Sequence, residues 1–119
     1  MIDEVLLLGV SRGRTDHLLF NWLMPLTRDW PFALRLVDDT IDARVVTALR
    51  PAELHCPPDT VISLVPLLDC TGIDTLGLRY ALHDHAMSPG STLGLSNRAS
   101  GGPVRVSLST GTLLAARVR

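Results

Sequence analysis

Hydrophobic residues are spaced along this chain in two different ways. Near the start, Val5-Leu6-Leu7-Leu8 is an unbroken apolar run within the segment Glu4 to Val10. Apolar residues without alternation over that length predict a strand buried on both faces, as in a parallel sheet. The loop Gly9-Val10-Ser11-Arg12-Gly13-Arg14 follows, and Thr15 or Asp16 then offers an N-cap. Leu18, Leu19, Trp22, Leu23 and Leu26 recur at helical spacing and predict one apolar face. Pro25 bounds that helix, because the residue before a proline is pushed out of the helical region.

From Phe32 onward the period shortens. Ala33 to Val37 and Ala43 to Thr47 read as a hairpin about the turn Asp38-Asp39-Thr40. Beyond Pro57-Pro58-Asp59, short strands are expected at Val61 to Leu67, Gly77 to Leu82, Ser91 to Leu95, Val104 to Leu108 and Leu113 to Val118. Turn chemistry separates them at Asp69 to Asp74, His83 to Gly90, Asn97 to Pro103 and Ser109-Thr110-Gly111. Strands at these intervals argue for a sandwich or jelly roll.

The fold class expected is therefore α+β: a short βα remnant of a Rossmann-like α/β domain, then an antiparallel β-sandwich. Residues 1–50 and 51–119 form the two expected units. A single βα unit is not a domain, since a parallel strand needs neighbours on its edges. Part of the α/β layer is expected to lie outside these residues, and the edge of the first strand to be covered by a partner chain.

Composition narrows the possible functions. With 119 residues, 46% hydrophobic and 19% charged, the chain can bury a real core and is not disordered as a whole. A net charge of -1 excludes a nucleic-acid binder that works by bulk positive charge. No apolar run approaches the roughly 18 residues of a membrane span, and Asp3 and Glu4 stand where a signal peptide would be basic. A cytoplasmic chain is expected. All 11 basic residues are arginine, so neither a P-loop lysine nor a Schiff-base lysine is available. Cys56 and Cys70 lack a CxxC spacing and are expected to be free, partly buried thiols. His83 and His85 have no second ligand pair at zinc-finger spacing.

The loop from Gly9 to His17 is the sharpest local feature. Its glycines let a ligand approach the backbone, and the helix start behind it favours an anion. Arg12 and Arg14 suit phosphate, with Gly13 between them, and Asp16 could hold a metal ion or accept a proton from an attacking hydroxyl. His17 could orient Asp16. An ordinary strand-to-helix turn with solvated arginines accounts for the same residues.

Three further segments carry a resemblance. They are Ser63-Leu64-Val65-Pro66-Leu67, Thr75-Leu76-Gly77-Leu78-Arg79-Tyr80 and Thr92-Leu93-Gly94-Leu95-Ser96-Asn97, followed by a valine-rich C-terminal hairpin. With the Gly9–His17 loop standing where a Gly-Gly-Arg-x-Asp-His motif belongs, the chain resembles the C-terminal half of thiamine pyrophosphokinases. Arg12 departs from the motif by replacing its first glycine. The family's acidic segments, which hold magnesium and ATP, have no counterpart in these residues.

The resemblance implies transfer of a pyrophosphoryl group from ATP to thiamine, giving AMP and thiamine diphosphate, with Mg2+ and ATP needed by the complete enzyme. It implies Arg14 and Asp16 as catalytic residues, with Gly13, Arg12 and Arg14 on phosphate and Asp16 near the metal. Tyr80, Ser96 and Asn97 are implied on thiamine, with Tyr80 stacking on the ligand. It also implies a homodimer with the active site between subunits. Strand position alone would make Tyr80 a core or cross-strand packer, and turn chemistry alone would explain Ser96 and Asn97. A non-catalytic thiamine-binding module, or a structural remnant that has lost the kinase half, stands as the alternative.

Overall fold

A computed structural model describes residues 2–9 and 13–119. Arg12, and with it the departure in the glycine motif, lies outside the described residues, as does Val10 at the end of the first expected strand. Strand β1 (Glu4–Leu8) leads through the loop to helix α1 (Thr15–Leu23) and a 3-10 turn, Met24–Thr27. Strands β2 (Ala33–Val37), β3 (Ile41–Val46), β4 (Ala52–His55), β5 (Val61–Pro66) and β6 (Cys70–Leu76) follow. The chain closes with β7 (His85–Met87), β8 (Asn97–Arg98), β9 (Pro103–Ser107) and β10 (Leu113–Val118).

Two sheets result. The larger has the order β1-β2-β3-β10-β5-β8 and the smaller β4-β9-β6-β7. Only β1 and β2 pair in parallel; the other named pairs are antiparallel. The fold is the expected α+β arrangement, a βα unit joined to a two-sheet sandwich. The β2–β3 hairpin connects them, because β3 pairs with β2 on one side and with β10 on the other.

The larger sheet is apolar on both faces. One face packs Val46, Ile62, Leu64, Leu113 and Ala115 against Leu54, Cys70, Ile73, Val104 and Val106 of the smaller sheet. The opposite face gathers Leu36, Ala43, Leu114 and Ala116 with Leu7 and with Trp22 of α1. Burying each large aliphatic side chain contributes about 2 kcal/mol, so the inter-sheet layer is the main source of stability.

Several sequence expectations are corrected. The first strand ends at Leu8, where Gly9 turns with φ 70°, and it is not buried on both faces. It is an edge strand with Leu6 and Leu8 exposed, because the described residues cover only one of its edges. The helix N-cap is Arg14, in extended conformation and with no side-chain cap bond, and not Thr15 or Asp16. The helix is amphipathic only in part, since Leu19 and Leu23 are exposed. Pro25 ends the α-helix as expected but sits buried inside the 3-10 turn.

The expected strand at Gly77 to Leu82 is displaced: the strand is Cys70–Leu76, which begins inside the expected turn Asp69 to Asp74. Cys70, Ile73 and Thr75 face inward there, and Gly72 supplies a positive φ at a β-bulge against β7. Ser91 to Leu95 is a turn, folded so that the Gly94 carbonyl accepts from the Leu64 N–H at 2.8 Å. The short strand comes after it, at Asn97–Arg98.

Candidate functional site

The turn at Gly77, directly after β6, positions the residues singled out on the β-region. Gly77 has φ 79°, and a side chain there would run into the Pro103 carbonyl. The chain therefore leaves the sheet at Gly77 and crosses beside β8. Leu78 bridges Ala99, the Arg79 N–H donates to the Arg98 carbonyl at 2.8 Å, and Ser100 N–H donates to the Gly77 carbonyl at 2.8 Å. The Arg79 guanidinium pairs with Asp59, which holds the flank of the same segment.

Tyr80 lies at the end of this crossing. It is 67% exposed, so it is neither a core residue nor a cross-strand packer, and its ring is open to a ligand. The segment has left the sheet, which is why strand alternation fails to describe it. Asn97 is buried and binds Tyr80 from behind: its Oδ1 accepts from the Tyr80 N–H at 3.1 Å and its Nδ2 donates to the Tyr80 carbonyl at 2.8 Å. The same Oδ1 accepts from the Arg98 N–H at 2.9 Å. Ser96 is exposed beside it in the left-handed region, φ 56°, with its N–H donating to Ser63 Oγ at 3.0 Å. Tyr80, Ser96 and Asn97 are thus brought together. Ser63, Asp59 and Arg79 belong to the same cluster, although the sequence pattern does not assign them to it. Ser63 and Arg79 stand inside the quoted motifs, but spacing did not show that they brace the site.

The loop residues form a second cluster. Gly13 has φ 91° and Arg14 is exposed. Arg14 Nη2 donates to Asp16 Oδ2 at 2.7 Å, and the His17 backbone N–H donates to Asp16 Oδ1 at 3.0 Å. Asp16 is therefore held by the His17 main chain and not by its imidazole. A phosphate could compete with Asp16 for Arg14 at an open helix start. A magnesium ion is poorly served, because it demands several oxygens in octahedral array. Here the donor set is one carboxylate already committed to Arg14, and no group of three or more candidate metal ligands gathers among the described residues.

The two clusters lie at one end of the larger sheet and on opposite edges of it. Leu8, Val37, Asp42, Arg117, Ile62 and Asn97 stand in one register row across six strands. At roughly 4.8 Å per strand, the strand feeding the loop and the strand after Ser96 are about 24 Å apart. Along that row, Asp42 is buried and takes two bonds from Arg35, at 2.8 and 2.5 Å. Arg35 holds the Asp42 carboxyl below the usual carboxylate range, against the opposing effect of burial. A cavity of about 480 Å3 opens at the other end of the sheet, between Trp30, Phe32, Leu34, Val45 and Arg50. It includes none of the candidate site residues Gly13, Arg14, Asp16, Tyr80, Ser96 and Asn97.

Both cysteines are free, Cys70 buried and Cys56 partly so. No helix among the described residues is long and apolar enough to cross a membrane.

The architecture recurs in solved structures. Thiamine pyrophosphokinase from Bacillus subtilis superposes with a TM-score of 0.85 at 24% identity, over 98% of this chain and 55% of that one. Thiamin pyrophosphokinase from Geobacillus thermodenitrificans gives 0.80 at 26% identity, over 98% and 54%. The enzyme from Candida albicans gives 0.76 at 17% identity, over 100% and 46%. The chain spans about half the length of these proteins. A search of curated protein sequences returned no match. Residues 52–113, more than half of the chain, match the family model of the thiamin pyrophosphokinase vitamin B1 binding domain, and the chain belongs to that family.

Proposed function

We propose that this chain binds thiamine on the Tyr80–Ser96 surface and works as the thiamine-binding portion of a thiamine pyrophosphokinase. The observation that carries the reading is the exposed Tyr80, whose backbone N–H and carbonyl are both held by Asn97, within the family-matched residues. Thiamine brings a cationic thiazolium and a flat aminopyrimidine, and an aromatic face is worth about 0.5–2 kcal/mol to such a cation. The Ser96 hydroxyl, at the edge of the same surface, is an exposed donor and acceptor for the pyrimidine nitrogens.

In the full reaction, the thiamine hydroxyl attacks the β-phosphorus of ATP and AMP leaves. Arg14 would neutralise phosphate oxygens, aided by Gly13, whose lack of a side chain keeps the loop open, and by Arg12. Asp16, once released from Arg14, would accept the hydroxyl proton. ATP and Mg2+ belong to the complete enzyme, and no step is assigned to the metal here because Asp16 alone does not build its site. The separation of the two clusters supports a homodimer in which the loop of one subunit faces Tyr80 of the other. Residues 1–50 then belong to the catalytic α/β unit and 51–119 to the thiamine-binding unit, in a cytoplasmic protein.

A thiamine-binding module without turnover is the second reading, favoured by the single-carboxylate donor set around Asp16. Calorimetric titration with thiamine tests the shared claim. Saturable binding weakened at least about fivefold by Tyr80→Ala is expected, the counterpart of ~1 kcal/mol. Equal affinity in the variant removes Tyr80 from the site. Pyrophosphoryl transfer from ATP by the same sample then separates enzyme from module.

A further inference from the structure

Asn97 stands next to the proposed thiamine surface, yet its side chain is turned toward the protein. Its residue is 5% exposed. An Asn amide offers two N–H donors and one oxygen with two lone pairs. Here Oδ1 accepts from both the Tyr80 and the Arg98 N–H groups, which fills the oxygen. Nδ2 donates to the Tyr80 carbonyl, leaving a single N–H. The pair of bonds to Tyr80 closes a ring between one side chain and one residue's own N–H and C=O. That fixes the peptide planes on both sides of the Tyr80 Cα, and so the Cα–Cβ direction from which the ring is carried.

The rest of the segment leans on the same support. Arg79 is tied to the Arg98 carbonyl through its N–H and to Asp59 through its guanidinium. Asn97 is in turn paired with Ile62 of β5, a residue of the inter-sheet core. The path from rigid core to exposed ring is short: β5, Asn97, Tyr80 backbone, Tyr80 ring.

We infer that Asn97 is a positioning residue which sets the Tyr80 ring for thiamine and does not itself hold the ligand. The inference rests on the reading that Tyr80 binds thiamine. Its consequence is thermodynamic coupling: without the Tyr80 ring, loss of Asn97 should cost nothing further.

The test is a double-mutant cycle read by thiamine titration, with Tyr80→Ala, Asn97→Ala and the double variant. Tyr80 is the only tyrosine, so incorporating 3-fluorotyrosine in wild type and Asn97→Ala gives 19F spectra that report this ring alone. The expected result is that Asn97→Ala weakens binding about as much as Tyr80→Ala, that the double variant is no weaker than the worse single one, and that the 19F resonance of Asn97→Ala shifts or broadens before any ligand is added. Multiplicative losses would make Asn97 a direct ligand and overturn the inference. So would an unmoved resonance in Asn97→Ala.

Should Asn97→Ala fail to fold, Asn97→Ser removes the closed pair of bonds to Tyr80 without placing a charge in the buried site, and its loss of binding should show the same coupling to Tyr80. Absence of thiamine binding by the wild type overturns the reading beneath the inference, and a shifted free-state resonance would then still record the clamp without a thiamine role.

Discussion

Asp42 carries a charge that the fold can lose only at a cost. It is 5% exposed on the side chain, and Arg35 binds it with both Nε and Nη2, at 2.8 and 2.5 Å. Around it stand further cations. Arg44 lies directly across from Arg35, Arg117 directly across from Asp42, and Arg119 reaches to 3.7 Å of its carboxylate. Glu4, at 3.9 Å from Arg35, is another acid of the cluster. Asp42→Asn keeps the shape and deletes the charge, leaving Arg35 three-quarters buried among like charges. Removing one partner of a buried pair costs about 3–5 kcal/mol. Arg35 retains some exposure and Glu4, which places the expected loss near the lower figure, about 3 kcal/mol.

The pH dependence has a definite sign. Asp42 has a lowered folded-state pKa, from the Arg35 hydrogen bonds first and the arginine charges next, with burial opposing. Its stabilisation is therefore complete above the unfolded-state value, near 3.9, and disappears as pH falls through the lower folded-state value. Arg35 is raised and stays charged across this range. Urea denaturation of wild type and Asp42→Asn at pH 7 and at steps below pH 4 should show a difference that is flat at first and then shrinks. A difference within 0.5 kcal/mol at pH 7, the scale of an ordinary surface substitution, would refute the reasoning. So would a difference that grows on acidification.

Two other substitutions probe the β-region. Gly77→Ala puts a side chain on a backbone with φ 79° and drives its Cβ into the Pro103 carbonyl, 3.0 Å from the carbonyl carbon. A loss of at least about 2 kcal/mol in chemical denaturation is expected, together with weaker thiamine binding because Gly77 starts the crossing to Tyr80; an unchanged midpoint would mean that β6 and β9 do not approach as described. Cys70 is 1% exposed, burial pushes its thiol pKa up, and its Sγ bonds the Thr112 carbonyl at 3.3 Å. Iodoacetamide should modify Cys56 in the native protein and reach Cys70 only on unfolding, so equal rates at the two sites under native conditions would count against the inter-sheet core.

Where the local pattern and the packing agree, the elements could be read directly from the residues. Ala33–Val37 and Leu113–Val118 are apolar enough, and bounded sharply enough by turn residues, to stand as strands, and the strand expected at Ala43 to Thr47 begins two residues earlier and ends one earlier, at Ile41–Val46. Cys70–Leu76 fails that test: Asp, Thr and Gly dominate it, and it is a strand because it pairs with β9 and turns Cys70 and Ile73 into the inter-sheet core, while Gly72 absorbs a bulge against β7. Ser91 to Leu95 fails in the other direction, since its leucines sit on a turn tied to Leu64 and remain exposed at Leu93 and Leu95. At the site, residue types could name Tyr80, Ser96 and Asn97, but not which of them faces outward. That depends on Gly77 leaving the sheet and on an amide turned inward, both long-range facts. The edge of β1 shows the same limit. Its apolar run specifies a strand with partners on both sides, and the described residues supply one.

The larger sheet sets the strands that lead to the two clusters on its opposite edges. Backbone pairing fixes the strand spacing, and the register row from Leu8 to Asn97 crosses five such steps. Arg35–Asp42 and the core residue Ile62 sit in or beside that row, so bending it to bring the edges together would break a buried ion pair and disturb the inter-sheet layer. Phosphoryl transfer requires its groups within about 3–3.5 Å of the reacting atoms, far less than the separation of roughly 24 Å across the sheet. Twist alters the direction of the strands but leaves the number of steps unchanged. In the homodimer proposed above, Arg14 and Tyr80 act on the same thiamine from different chains. A two-fold arrangement would make that pairing twice over, each loop facing the other chain's Tyr80.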